Sequence, residues 1–104
     1  MPVEKISLGE GSFHKYIDEN DCLVLIFKNQ CPICKVLSKV MDKCMLENPG
    51  LKVAEVDSEA NSGLMTQMDI SKVPTILVYK SGQLAARKTG VIKANELVDF
   101  YQNA

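Results

Sequence analysis

Residues 22–35 read Cys22-Leu23-Val24-Leu25-Ile26-Phe27-Lys28-Asn29-Gln30-Cys31-Pro32-Ile33-Cys34-Lys35. The unbroken apolar run Leu23-Val24-Leu25-Ile26-Phe27 has the length and composition of a strand buried on both faces. A Cys-x-x-Cys pair follows, so two thiols stand where a strand hands over to a helix. The first N–H groups of a helix and its aligned peptide dipoles present partial positive charge, which stabilises a thiolate placed there. Pro32 suits the first helical position, since its ring fixes the required φ and its missing N–H had no intrahelical partner. Cys31 is then expected at the cap, facing water, with Lys28 and Lys35 adding positive charge in favour of its thiolate. It is the candidate nucleophile. Cys34, three positions on, shares its side of the first turn, close enough to close a disulfide or to attack one formed at Cys31.

Outward from this junction, strand and helix patterns alternate without linker, repeat or low-complexity tract. Val3 to Leu8 reads as a short strand, and Ser12 as the cap of a helix running to about Asn20 with Phe13, Tyr16 and Ile17 inward. After the motif, Val36, Leu37, Val40, Met41, Cys44 and Met45 recur at helical spacing, and Asn48-Pro49-Gly50 ends that helix. Leu51 to Val56 is expected as a strand, residues 59 to 68 as a short helix on Leu64, Met65 and Met68, and Thr75 to Tyr79 as a strand after Pro74. Ser81-Gly82 is a turn signal, so Gln83 to Thr89 should return antiparallel. A last helix, Ala94 to Gln102, should bury Leu97, Val98 and Tyr101. Parallel strands joined by crossover helices, plus one hairpin, give an α/β domain with a mixed sheet covered on both faces.

The 104 residues, 46% hydrophobic and 24% charged with formal net charge -1, fit one domain, 1–104, with one modest core. Near-neutral charge without a basic run gives no reason to expect nucleic acid or an anionic membrane as partner. The segment Met1 to Ile6 has neither a long apolar stretch nor a small-residue cleavage site, so a cytoplasmic protein is expected. Four cysteines in a reducing compartment point to catalysis or metal binding more than to a structural disulfide framework. Zinc is the competing reading of the Cys pair, but it needs about four ligands, no second Cys-x-x-Cys exists, and His14 is the sole histidine. Cys22 and Cys44 fall on apolar segments, where a free cysteine packs as a small hydrophobe.

With Cys31-Pro32-Ile33-Cys34-Lys35 after a strand, Val73-Pro74-Thr75 about forty residues later, Tyr79-Lys80-Ser81-Gly82-Gln83 and Thr89-Gly90-Val91, the chain resembles the thioredoxin family over nearly its whole length. The resemblance implies a thioredoxin fold of about five strands and four helices, with Pro74 in the cis form beside the thiols. It implies dithiol–disulfide exchange with no bound cofactor, in which Cys31 attacks a disulfide of a client protein and Cys34 resolves the mixed disulfide. A thioredoxin reductase drawing on NADPH would be the electron donor, and the protein is expected to act as a monomer. Gln30, Pro32 and Ile33, with Lys72, Val73, Pro74, Gly90 and Val91, would form the platform on which an extended client segment lies.

Four positions depart from the family pattern. Pro32-Ile33 stands between the thiols in place of Gly-Pro. Gln30 stands where an aromatic residue usually precedes the first cysteine. Leu25 replaces the buried acid six residues before that cysteine, and Lys39 replaces the kinking proline of the second helix, which should therefore be straighter. Glu55, on the neighbouring strand, is the candidate substitute acid that assists deprotonation of Cys34, the alternative being an ordinary exposed strand residue. The Cys31-Pro32 order also suits a glutaredoxin-like enzyme acting on glutathione mixed disulfides, though Ser81-Gly82 and Gly90 follow the thioredoxin pattern. A noncatalytic binding module of the same fold is the third reading, and such a module needs neither thiol nor Pro74. Lys28, Lys35, Lys39 and Lys72 suggest clients with acidic segments.

Overall fold

The computed structural model describes residues 5–104, in the order β1 (Ile6–Leu8), α1 (Phe13–Glu19), β2 (Cys22–Phe27), α2 (Pro32–Glu47), β3 (Val53–Asp57), α3 (Ser62–Gln67), β4 (Thr75–Lys80), β5 (Gln83–Thr89) and α4 (Ala94–Gln102). The five strands form one sheet ordered β1-β3-β2-β4-β5. β1, β3 and β2 run parallel, and β4 and β5 join antiparallel. This is the thioredoxin fold expected from the sequence.

β2 lies at the sheet's centre, and its apolar run is divided strictly by the strand period of two. Cys22, Val24 and Ile26 pack with Phe13 and Ile17 of α1 and Leu64 and Met65 of α3. Leu23 and Leu25 pack on the other face with Leu37, Met41 and Cys44 of α2 and Leu97 of α4. A continuous hydrophobic sequence is thus what a central strand between two helical layers requires. Residues Leu23 to Ile26 are all fully buried.

Several local expectations are corrected. Residues 3 and 4 of the anticipated first strand lie outside the described residues, and pairing begins at Ile6. Ser12 occupies the cap of α1, but its hydroxyl accepts the Gly9 N–H at 3.1 Å and closes a turn upstream instead of binding a helix N–H. Val36 is 52% exposed, because Cys34, Leu37, Met41 and Cys44 already define the core-facing stripe of α2 and Val36 lies to one side of it. β3 starts at Val53, not Leu51, since the Leu51 N–H is used by the Asn48 carbonyl at 2.9 Å in the turn that ends α2. α3 starts at Ser62 because the Asp57 carboxylate accepts the Glu59 and Ala60 N–H groups at 2.9 and 3.3 Å, holding residues 58–61 in a turn. α2 runs unbroken past Lys39, and β5 and α4 have the expected bounds. No helix among the described residues is long and apolar enough to cross a membrane.

Candidate active site

The site stands where the carboxyl end of β2 meets the start of β4, with Ile26 paired to Thr75 across the sheet. Beyond β2 the chain turns at Gln30, which has φ 50°, and enters α2 with Cys31 at the N-cap and Pro32 in the first turn. Cys31 and Cys34 are joined in a disulfide with a Cα–Cα distance of 5.2 Å. The Cys31 Sγ accepts the Cys34 N–H at 3.2 Å, and the Cys31 carbonyl accepts the Lys35 N–H at the same distance. The sulfur thus takes one of the N–H groups that a helix start leaves without an internal partner.

The expectation that Cys31 faces water is corrected, since it is only 7% exposed and Cys34 is 3% exposed. The disulfide folds the Cys31 sulfur back over the first helical turn onto the Cys34 N–H, so little of it remains at the surface. Ile33, by contrast, is half exposed, as is Val91. These two side chains offer apolar contact area that Cys31 itself does not.

The second wall is the segment before β4. The Val73-Pro74 peptide is cis, and Pro74 is buried. Its carbonyl accepts the Gly90 N–H at 3.0 Å, which joins the Val73-Pro74 segment to the Gly90-Val91 loop. Gly90 has φ 91°, a conformation that favours glycine over residues with a Cβ. The Thr75 hydroxyl, fully buried, donates to the Lys72 carbonyl at 2.5 Å and closes the same segment from within. Lys72 and Gln30 are exposed and Val73 is half-buried, so the anticipated platform residues lie at the ends and turns of the elements that meet here.

Behind the thiols is a pocket of about 160 Å³ lined by Leu25, Lys28, Cys34, Lys35, Ser38 and Glu55, among others. Glu55 is half-buried, and its register partner on β2 is Leu25. The pocket therefore brings together the resolving-thiol candidate and the substitute acid named from the sequence. Ser38 was not among the sequence candidates, although its position one helical turn beyond Cys34 is a signal that could have found it. Cys22 and Cys44 are free and buried in the cores on opposite faces of the sheet, so they do not join Cys31 and Cys34 in a four-sulfur cluster. The Cys44 thiol donates to the Ala94 carbonyl at 3.3 Å. Burial raises both thiols, Cys22 to about 11, and keeps them protonated near neutral pH.

Comparison with known proteins agrees with this geometry. The thioredoxin family model matches residues 4–103. Thioredoxin C-3 of Corynebacterium nephridii is 29% identical over 99 residues, covering 93% of this chain and 68% of that protein. The thioredoxin of Rickettsia felis is 30% identical over 94 residues, covering 88% of this chain and 90% of its own. Among solved structures, the reduced desulfothioredoxin of Desulfovibrio vulgaris Hildenborough superposes with a TM-score of 0.81 at 30% identity, covering 95% of this chain and 97% of that one.

Proposed function

The chain belongs to the thioredoxin family, and on that premise we propose that it reduces disulfides in client proteins, with Cys31 as nucleophile and Cys34 as resolving thiol. Its general chemistry is thiol–disulfide exchange through the Cys-x-x-Cys pair. The observation that carries the finer reading is the Cys31–Cys34 disulfide itself, set on the first turn of α2 with the Cys31 sulfur on a helix N–H.

In the reduced protein the Cys31 thiolate attacks one sulfur of a client disulfide. A Cys31–client mixed disulfide forms, and the other client sulfur leaves as a thiolate that takes up a proton. Cys34 then loses its proton and attacks the Cys31 sulfur. The mixed disulfide breaks, the client departs as a dithiol, and the Cys31–Cys34 disulfide remains. Two electrons and two protons from a reductase, by the resemblance a thioredoxin reductase, restore the dithiol. Glu55 is the proposed acceptor of the Cys34 proton, supported by its place on the wall of the pocket that also holds Cys34. Gln30, Pro32, Ile33, Lys72, Val73, Pro74, Gly90 and Val91 are the proposed docking residues, with a monomer in the cytoplasm as the working form.

Insulin reduction driven by dithiothreitol, and separately by NADPH with a thioredoxin reductase, tests this reading. Wild type should accelerate the reaction and Cys31→Ser should not, while Cys34→Ser should accumulate a client mixed disulfide. Failure of the wild type to accelerate reduction would remove the reductase reading, and activity only with glutathione and glutathione reductase would replace it with the glutaredoxin-like one. Glu55→Gln is expected to slow resolution of the mixed disulfide by about a hundredfold and to flatten its pH dependence; an unchanged pH profile excludes Glu55 from proton transfer.

A further inference from the structure

Arg87 lies on the exposed edge strand β5, paired with Leu77 of β4, whose side chain points into the core beneath α3. On that face the Arg87 guanidinium reaches the end of α3, where Nη1 donates to the Met68 carbonyl at 2.9 Å and Nη2 donates to the Asp69 carbonyl at 2.6 Å. Carbonyls at a helix end have no partner within the helix, and a planar guanidinium can satisfy two of them at once in a fixed geometry. Asp69 has φ 55°, so the fork grips the residue at which the chain swings out of α3 toward the active site. The Tyr79 hydroxyl, from β4, meets the Met68 sulfur at 3.6 Å and supports the same point.

The segment that begins there ends at Pro74. Between its ends, Ile70 is buried and donates its N–H to the Met65 carbonyl at 2.9 Å. At the far end, Thr75 holds the Lys72 carbonyl and Gly90 holds the Pro74 carbonyl. Residues 68–74 are thus tied down at both ends, and among the described residues Arg87 supplies the one charged tie to this segment, from a strand whose other side chains, Ala86 apart, are exposed. Arg87 is itself exposed, so its place on β5 is not set by burial in the core.

We propose that Arg87 is a positioning residue for client recognition. It fixes the start of the 68–74 segment so that Lys72, Val73 and Pro74 present their backbone to an extended client beside Cys31. This role rests on the protein-disulfide reading above. A small disulfide has no polypeptide backbone to dock, so it needs the thiols but not the segment.

The test compares wild type with Arg87→Ala, each reduced beforehand and freed of reductant, by following their single-turnover oxidation over a range of concentrations of a peptide disulfide and of the small aromatic disulfide 5,5′-dithiobis(2-nitrobenzoate). The variant should lose about tenfold in its second-order rate constant with the peptide, while its rate constant with the small disulfide stays within about twofold of wild type. Amide hydrogen exchange should quicken across residues 68–73 and stay unchanged in β2 and α2. Equal losses on both substrates would mean that Arg87 only supports the fold, and unchanged peptide kinetics or unchanged exchange would likewise overturn the proposal. Arg87→Met, which keeps the length of the side chain and removes every donor, repeats the comparison if the alanine variant is poorly folded. Absence of any wild-type activity on the peptide would instead overturn the protein-disulfide reading on which this role stands, whereas wild-type activity with an unaffected variant would sink the Arg87 role alone.

Discussion

Leu25 and Glu55 are register partners on the face of the sheet that carries the pocket behind Cys34. Because Leu25 is fully buried, a carboxylate in its place would be desolvated next to a second carboxylate. Leu25→Asp is therefore expected to destabilise the protein by about 3 kcal/mol, measured by urea unfolding at pH 7. The same variant combined with Glu55→Gln should recover part of that loss, and a fully additive double variant would show that the two positions do not interact. Cys22 sets a second expectation. Burial, followed in size by the Asp21 carboxylate, pushes its thiol up to about 11. The unfolded chain releases that proton near the ordinary value of about 8.5, so the folded state binds it more tightly. The resulting stability, about 3 kcal/mol at most, is complete below the unfolded value and is lost as pH rises through about 11. Unfolding midpoints between about pH 8.5 and 11 should fall more steeply in wild type than in Cys22→Ala. Parallel slopes would show that this thiol is not linked to folding. Burial chiefly raises the Tyr16, Tyr79 and Tyr101 hydroxyls, and the Cys22 charge adds to each, so the comparison reads the Cys22 thiol together with its coupling to these three groups.

The elements around the site differ in what holds them. α2 is fixed by its buried stripe and ends where the Asn48 N–H and side-chain amide both donate to the Cys44 carbonyl. The segment from α3 to β4 buries Ile70 and Pro74 but has no helix or strand ladder of its own, and its backbone depends on individual hydrogen bonds. Thr75→Val, which keeps the shape and removes the donor to the Lys72 carbonyl, should cost about 1 kcal/mol in unfolding free energy. It should also quicken amide exchange at residues 71–73, and an unchanged exchange pattern would show that other contacts hold the segment. Elements of this second kind were the harder ones to read in the sequence. β5 and α4 were legible to the residue, because Ser81 and Gly82, with φ 54° and 79°, make a tight turn that fixes the hairpin and Leu97 anchors the helix. The starts of β3 and α3 were not, because each depends on which carbonyl or carboxylate takes a particular N–H in the preceding turn. The cis peptide at Val73-Pro74 was legible only through family resemblance. The tie of its segment to Arg87 was not legible at all, since Arg87 and Met68 are 19 residues apart and no periodicity links them.

For the whole molecule, formal net charge is -1, yet Lys28 and Lys35 line the pocket behind Cys34 and Lys39 and Lys72 are exposed on the elements that frame the site. Reduction of a peptide disulfide flanked by Asp and Glu should slow several-fold between about 0.02 and 0.3 M salt, while a peptide flanked by Gln should be unaffected. Equal salt dependence for both would show that these lysines do not steer clients. The architecture itself follows from patterning that is local to the chain. A continuous apolar strand, amphipathic helices and turn residues at the right spacing specify a mixed sheet between helical layers, and the Cys31-Pro32-Ile33-Cys34 step from strand to helix specifies the thiol pair. These features were decided by sequence alone because hydrophobic periodicity and helix-end chemistry act over a few neighbouring residues. The burial of Cys31, the pocket shared by Cys34 and Glu55, the join between Pro74 and Gly90, and the grip of Arg87 on the end of α3 were decided only by the tertiary structure. Each depends on side chains and backbone groups far apart in the chain meeting at hydrogen-bonding distance, and that meeting is set by sheet register and helix packing.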